Sequence, residues 1–344
     1  MLPERAHPLH AESDASLQSA NGLQAVDSIM RRLASGERLE RGGVMVQEHL
    51  STGGKRIRAR LALSATAALG ATRDSALGWA AAVELLHNAT LIHDDIQDGD
   101  RMRRGQPTTW VRHGSSQAIN AGDLMLMLPF MAIGHGDLSA EVRWKLSERL
   151  ATQATQIVRG QVEDLDMLSS ESLSWASYLR VVENKTGGLF ALPVEGAALI
   201  AGQSSEQAAA FANAFMPLGT LFQMQDDVLD LYGSKGRDLP GADLREGKVS
   251  ALVVAHLNMH PKDRMWLLSL LRTDRDQTSQ QDVDFAIRTF RSQGALQAVL
   301  HRIQDLADQV KNSAVLAKEP ALHAVAKNIT QLALQPIEHL WRQR

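Results

Sequence analysis

The sequence predicts an all-α protein built as a single-domain helical bundle, and three observations predict it. Apolar residues recur every three or four positions, as in Leu296, Val299, Leu300, Ile303, Leu306, Ala307 and Val310, which is one face of a helix. Alternating β-branched runs are absent, and aromatics make up only 4% of the chain, so strand signals are scarce. Glycine-rich and polar breaks fall at Gly53-Gly54, Gly70 to Asp74, Gly99 to Pro107, Gly134 to Ser139, Ser169 to Ser172, Gly202 to Ser205, Gly233 to Gly247 and Arg272 to Gln281. Between them lie helices of roughly 15 to 30 residues. No fixed-period repeat or low-complexity linker divides the chain. One domain over residues 21–344 is expected, behind a frayed tail of residues 1–20.

Composition narrows the class. With 344 residues, 44% of them hydrophobic, the chain can bury a substantial core. Its 36 Lys and Arg nearly balance 39 Asp and Glu, a formal charge of −3, which supplies no global field for nucleic acid. Any polyanion must be held locally. Having no Cys, the chain has no disulfide, thiolate zinc site or thiol nucleophile. The longest apolar stretch, Leu124 to Ile133, contains Pro129 and is too short to cross a bilayer. Glu4, Glu12 and Asp14 argue against a transit peptide, and no apolar run suggests a secretory signal. A cytoplasmic protein with no transmembrane segment is expected.

The first chemical cluster is Leu91-Ile92-His93-Asp94-Asp95-Ile96-Gln97-Asp98. At about 100° per residue Asp94 and Asp98 share a helix face, with His87 further back on roughly the same stripe. Like charges at this spacing disfavour a bare helix by a few tenths of a kcal/mol, which a divalent cation would offset. A solvated acidic face is the plain alternative for one such motif, but Val83, Leu86, Thr90 and Leu91 make the preceding face apolar. The second cluster repeats the pattern: Gln223, Asp226, Asp227 and Asp230 lie at i, i+3, i+4 and i+7. Magnesium takes oxygen ligands and leaves places for water and phosphate, so two such faces point to several Mg²⁺ ions around a diphosphate. Two basic stretches accompany them, Gly53-Gly54-Lys55-Arg56-Ile57-Arg58 and Arg103-Arg104-Gly105-Gln106-Pro107-Thr108. Guanidinium forks and Lys point charges suit phosphate oxygens. The charged, glycine-rich segment from Gly233 to Gly247 has the composition either of a loop that closes over a charged ligand or of a plain surface connection.

These pieces resemble the trans-isoprenyl diphosphate synthase (polyprenyl synthetase) family. The matching segments are GGKRIR at 53–58, ELLHNATLIHDDIQD at 84–98, RRGQPT at 103–108, NKTGGLF at 184–190, LGTLFQMQDDVLD at 218–230 and DLREGKVS at 243–250, in the family's order. The resemblance implies an all-α bundle around a central apolar cavity, usually a homodimer. It implies that Asp94, Asp98, Asp226 and Asp230 bind Mg²⁺, three ions per site, with Asp95 and Asp227 binding or orienting. It places Lys55, Arg58, His87 and Arg104 on the diphosphate of isopentenyl diphosphate, and Arg103, Lys185, Thr186, Gln223 and Lys248 on the allylic diphosphate. Asp94, Asp98, Arg103, Lys185, Asp226 and Lys248 would carry the catalysis. Three departures stand out: Ala59 where the family often has Pro, Arg237 at a usual Lys position, and Ser250-Ala251 in place of Thr-Leu. None removes a metal ligand.

The chemistry fits these residue types. Departure of diphosphate from an allylic carbon leaves a stabilised cation, so the protein neutralises the leaving group and excludes water. No side-chain nucleophile is required. Chain length is expected to be set along the first motif's helix, whose pitch of about 5.4 Å approximates one isoprene unit. Ala89 and Thr90 are small where, in the family this chain resembles, bulky aromatics would stop growth early, so the resemblance implies C20–C25 products such as geranylgeranyl diphosphate, with Leu86, Met127 and Phe130 as candidate floor residues. A farnesyl or longer-chain synthase is the nearest alternative. An HD-type metal phosphohydrolase would use His93-Asp94 but leaves the second acidic motif and RRGQPT without a role, and a class I terpene cyclase or a non-catalytic partner subunit fits the acidic set less well.

Overall fold

The computed structural model describes residues 8–169, 173–233 and 240–342, with side chains from residue 21 onward. The chain is all-α, as expected. It forms two compact units that interleave in sequence: Met1–Leu150 with Pro193–Ala208, and Ala151–Leu192 with Ala209–Arg344. No helix among the described residues is long and apolar enough to cross a membrane.

The first unit contains α1 (Pro8–Ser35), α2 (Arg41–Ser51), α3 (Ile57–Ala68) and α4 (Leu77–Gln97). A two-stranded hairpin, β1 (Met102–Arg103) and β2 (Gln106–Pro107), then leads to α5 (Thr109–His113) and α6 (Ser115–Ile133). The backbone is helical from Pro8, inside the stretch read as a tail, and residues 1–7 lie outside the described residues. Every residue of α4 from Gly78 to Leu86 is buried, because that segment is apolar on all sides except at Glu84. Two glycines allow the close packing. A Cβ on Gly78 would stand 2.4 Å from the Ala132 carbonyl oxygen, and one on Gly196 would stand 2.1 Å from the indole of Trp79. That indole donates to the Pro193 carbonyl at 3.1 Å.

Three long helices pass from one unit to the other: α7 (Ala140–Met167), α9 (Gly188–Ile200) and α10 (Ser205–Tyr232). The second unit also holds α8 (Trp175–Val182), α11 (Ala242–Arg245), α12 (Ala251–Met259), α13 (Arg264–Leu271), α14 (Gln280–Ser292), α15 (Ala295–Lys311), α16 (Pro320–Leu334) and α17 (Glu338–Arg342). Its core forms around α12, buried continuously from Ala251 to Leu257. Leu296, Val299, Leu300, Ile303 and Ala307 of α15 belong to the same cluster, so the stripe read from the sequence is the buried face. One turn was not foreseen. Residues Glu183–Gly187 form a π-helical turn, a local widening that often marks a functional position.

Candidate active site

In the first unit, α4 delivers the first acidic motif. Asp94 and Asp98 are partly exposed one turn apart, whereas Asp95 is 1% exposed. The buried carboxylate is engaged by Arg103, whose Nε and Nη2 donate to the same Oδ1 at 2.7 and 2.5 Å. Burial pushes Asp95 up to about 6 even against that guanidinium, with Asp100 and Asp94 adding to the rise. The outer acids thus reach solvent in part, and the inner one orients an arginine.

The hairpin explains why Arg103 and Arg104 sit as they do. Its two-residue tip, Arg104-Gly105, has φ of 51° and 76°, the positive values a tight hairpin demands. Glycine accepts this freely; an arginine in the left-handed region is strained. Only one other described non-glycine residue has positive φ, Arg56 at 49°. Both lie in the two basic motifs. Arg104 donates to the Gly53 carbonyl, and a Cβ on Gly54 would stand 2.6 Å from the Arg104 Nη1, so the Gly-Gly pair is what lets this guanidinium lie against the loop.

Arg58 and His87 complete the cluster. Burial pushes Arg58 down to about 10, with Glu84 pulling the other way and Arg104 adding to the fall. His87 is held well below its ordinary value by burial and by Arg58, Arg103 and Arg104, so its ring is neutral. Lys55 is exposed at the loop's end. A second buried histidine, His49, was not singled out in the sequence. Burial and the neighbouring Arg103 and Arg104 push it down to about 3, and its Nε2 has no hydrogen-bond partner.

In the second unit, α10 carries the second acidic motif. Asp226 is exposed, while Asp227 and Asp230 are each 3% exposed. Asp227 Oδ2 accepts from the Tyr178 hydroxyl and the Ala251 amide, both at 2.7 Å, and Oδ1 accepts from Gln223 Nε2 at 3.0 Å. Asp230 Oδ2 accepts from the Asp243 amide at 3.1 Å, tying the motif to the segment that bears Lys248. Asp230 thus ties α10 to that segment through one carboxylate oxygen. Burial raises Asp227 above the usual carboxylate range, and burial together with Asp227 pushes the Tyr178 hydroxyl well up.

Thr186 and Gln223 meet through a 3.1 Å hydrogen bond, and Lys185 pairs with Asp164 at 2.5 Å. Lys185 and Thr186 occupy the π-helical turn. The glycines around it are required by close approach: a Cβ on Gly219 would stand 2.5 Å from the Gly187 Cα, and one on Gly188 would stand 2.1 Å from Gln153 Nε2. Lys248 pairs with the buried Glu246 at 2.8 Å. Arg237 lies outside the described residues.

The chain-length residues divide. Leu86 and Ala89 are 1% and 0% exposed, and Thr90 is half-buried. Met127 and Phe130 are 58% and 40% exposed in the single chain. The helical period of α6 turns Met125 and Leu128 inward and leaves Met127, Phe130 and Met131 on the opposite face. Sequence reading also passed over Glu84, Tyr178, Gln153 and Asp164. The detectable signal was the lone Glu within an apolar α4 and the lone Tyr within α8.

Comparison with known proteins assigns the class. A polyprenyl synthetase family profile matches residues 43–290, and the chain belongs to that family. It is 38% identical over 208 residues to a geranylgeranyl diphosphate synthase of Methanosarcina mazei, covering 60% of this chain and 64% of that one. The match thus spans just under two thirds of that relative's length. It is 35% identical to a geranylfarnesyl diphosphate synthase of Aeropyrum pernix over 213 residues, 60% of this chain and 67% of that one. Among solved structures, a polyprenyl synthase of Caulobacter crescentus complexed with calcium and isoprenyl diphosphate superposes with a TM-score of 0.81 at 27% identity, covering 96% of this chain and 99% of that one.

Proposed function

We propose that this chain is a Mg²⁺-dependent trans-prenyltransferase that condenses isopentenyl diphosphate head-to-tail with an allylic diphosphate, giving C20–C25 all-trans products such as geranylgeranyl diphosphate. The observation that carries the reading is the division within both acidic motifs. In each, the second aspartate is buried and bonded to the chain's own donors while the first stays accessible; Asp98 is accessible too, whereas Asp230 is buried. That is the pattern expected where the accessible carboxylates serve a cation and the buried ones hold the phosphate-binding groups in register.

Magnesium fits the residues present. Asp94 and Asp98 offer hard oxygen ligands one turn apart, and Asp226 offers another. When bound, the ions neutralise the leaving diphosphate. The chain's residues do the rest. Lys55, Arg58, His87 and Arg104 hold the isopentenyl diphosphate, His87 as a neutral hydrogen-bonding ring. Arg103, Lys185, Thr186, Gln223 and Lys248 hold the allylic diphosphate. Asp95 fixes Arg103, and Asp227 fixes Gln223.

The protein is proposed to work as a cytoplasmic homodimer. Ile119, Met127, Phe130 and Met131 give α6 an exposed apolar face of the kind a second copy would cover. Product length is proposed to depend on Leu86 and Ala89 in α4. The test is turnover with C5, C10 and C15 primers and isopentenyl diphosphate, with and without chelator, reading products by chain length.

A further inference from the structure

We propose that Glu84 is a positioning residue for the isopentenyl diphosphate grip: its carboxylate anchors the loop and helix start that carry Lys55 and Arg58. The inference rests on the reading that those two residues bind this substrate. Glu84 contributes no atom to the outer basic surface. It is 4% exposed, the one acid in the apolar run of α4.

Its two oxygens reach two points of the same loop. Oε2 accepts the backbone amide of Ala59 at 3.2 Å, satisfying one of the orphan amides in the first turn of α3. Oε1 lies 3.7 Å from Arg56 Nη1. Arg56 is 8% exposed, and its guanidinium also donates to Asp27 Oδ1 and to the Leu50 carbonyl, each at 3.1 Å. The side chain of Arg56 is therefore fully turned inward, although it sits in the middle of Lys55-Arg56-Ile57-Arg58. Its backbone is in the left-handed region, φ 49°, which a β-carbon disfavours. A strained residue persists only where its surroundings over-determine it, and Glu84 and Asp27 are the groups that do so.

The consequence reaches both flanking cations. Fixing Arg56 in the left-handed conformation sets the direction of Lys55 before it, and fixing the Ala59 amide sets the first turn of α3 on which Arg58 lies. Glu84 also offsets the burial of Arg58, whose other charged and titratable neighbours are Arg104 on the hairpin and His87 on α4. Asn88 Nδ2 donates to the Glu84 carbonyl at 2.7 Å and leans toward its carboxylate, holding the acid within its helix.

The test is steady-state kinetics on the full chain with Mg²⁺, varying each diphosphate in turn, for wild type, Glu84→Gln, Glu84→Asp, Ala59→Pro and Lys55→Ala. Glu84→Gln is expected to raise KM for isopentenyl diphosphate about tenfold, with kcat and the allylic KM changed less than about threefold. Glu84→Asp recovers part of the loss. Ala59→Pro removes the amide that Glu84 accepts, within the first turn of α3, and gives a smaller rise in the same KM. Equal losses for both substrates, or an unchanged isopentenyl KM in Glu84→Gln and Ala59→Pro while Lys55→Ala raises it, would overturn the inference. An unchanged KM in Lys55→Ala would instead overturn the substrate assignment.

Discussion

Asp227→Asn separates a positioning aspartate from a metal ligand. Asp227 receives three donors: the Tyr178 hydroxyl and Ala251 amide on Oδ2 and Gln223 Nε2 on Oδ1. An asparagine keeps one acceptor oxygen, which retains the first two bonds without their charge assistance. Its amide then points a donor at the donor of Gln223. Either that contact is lost, or Gln223 flips and its 3.1 Å contact with Thr186 must reverse, Nε2 donating to the hydroxyl oxygen. Losing one hydrogen bond to a charged group costs about 1.5–3 kcal/mol, and weakening two others adds to this. The relief of burying a neutral amide in place of a carboxylate already strained by burial subtracts from it. A net destabilisation of about 2 kcal/mol follows, with an approximately tenfold fall in kcat/KM for the allylic substrate from the displaced Gln223–Thr186 pair. Thermal unfolding and initial rates measure both. The decisive readout is the Mg²⁺ activation curve: its midpoint stays put in Asp227→Asn and moves to higher concentration in Asp226→Asn. A large shift in Asp227→Asn, or wild-type stability and activity, would refute the reasoning.

Other expectations follow from the same geometry. Leu86→Ala lengthens the product distribution by about one isoprene unit and destabilises by about 2–5 kcal/mol, because the residue is 1% exposed, whereas Met127→Ala leaves the product ladder unchanged. Chromatography by product length and a melting curve check this pair. Phe130→Glu halves the mass seen by sedimentation, since it puts a charge on the apolar face of α6. His49 titrates at about 3 when folded and near 6.5 when unfolded, so the unfolded chain binds a proton that the folded chain refuses between these values. Stability is therefore lost as pH falls below about 6.5, by up to about 1.4 kcal/mol per pH unit. His49→Gln, followed by melting temperature against pH, flattens that slope; an unchanged slope would contradict it.

Much of this architecture was legible in the sequence because it is periodic. The α15 stripe, the acidic faces of α4 and α10, and the glycine breaks all follow from local spacing. What stayed hidden depends on long-range contact. Nothing local in Tyr178 shows that its hydroxyl meets Asp227, 49 positions away, and nothing in Glu84 shows that it meets the Ala59 amide, 25 positions away. The face chosen by Met127 and Phe130 is another case. In Leu124–Ile133 nearly every position is apolar, so the helical pattern carries no contrast between inside and outside. The π-helical turn at Glu183–Gly187 likewise has no periodic signature, only the two glycines that its close packing requires.

The most direct measurement is a product assay on the purified full chain with Mg²⁺, labelled isopentenyl diphosphate and a C15 allylic primer. The expected result is stoichiometric diphosphate release with label in a C20–C25 prenyl diphosphate, abolished by chelation and by Asp94→Asn. Label remaining wholly in isopentenyl diphosphate, or turnover that persists after the metal is removed, would contradict the account.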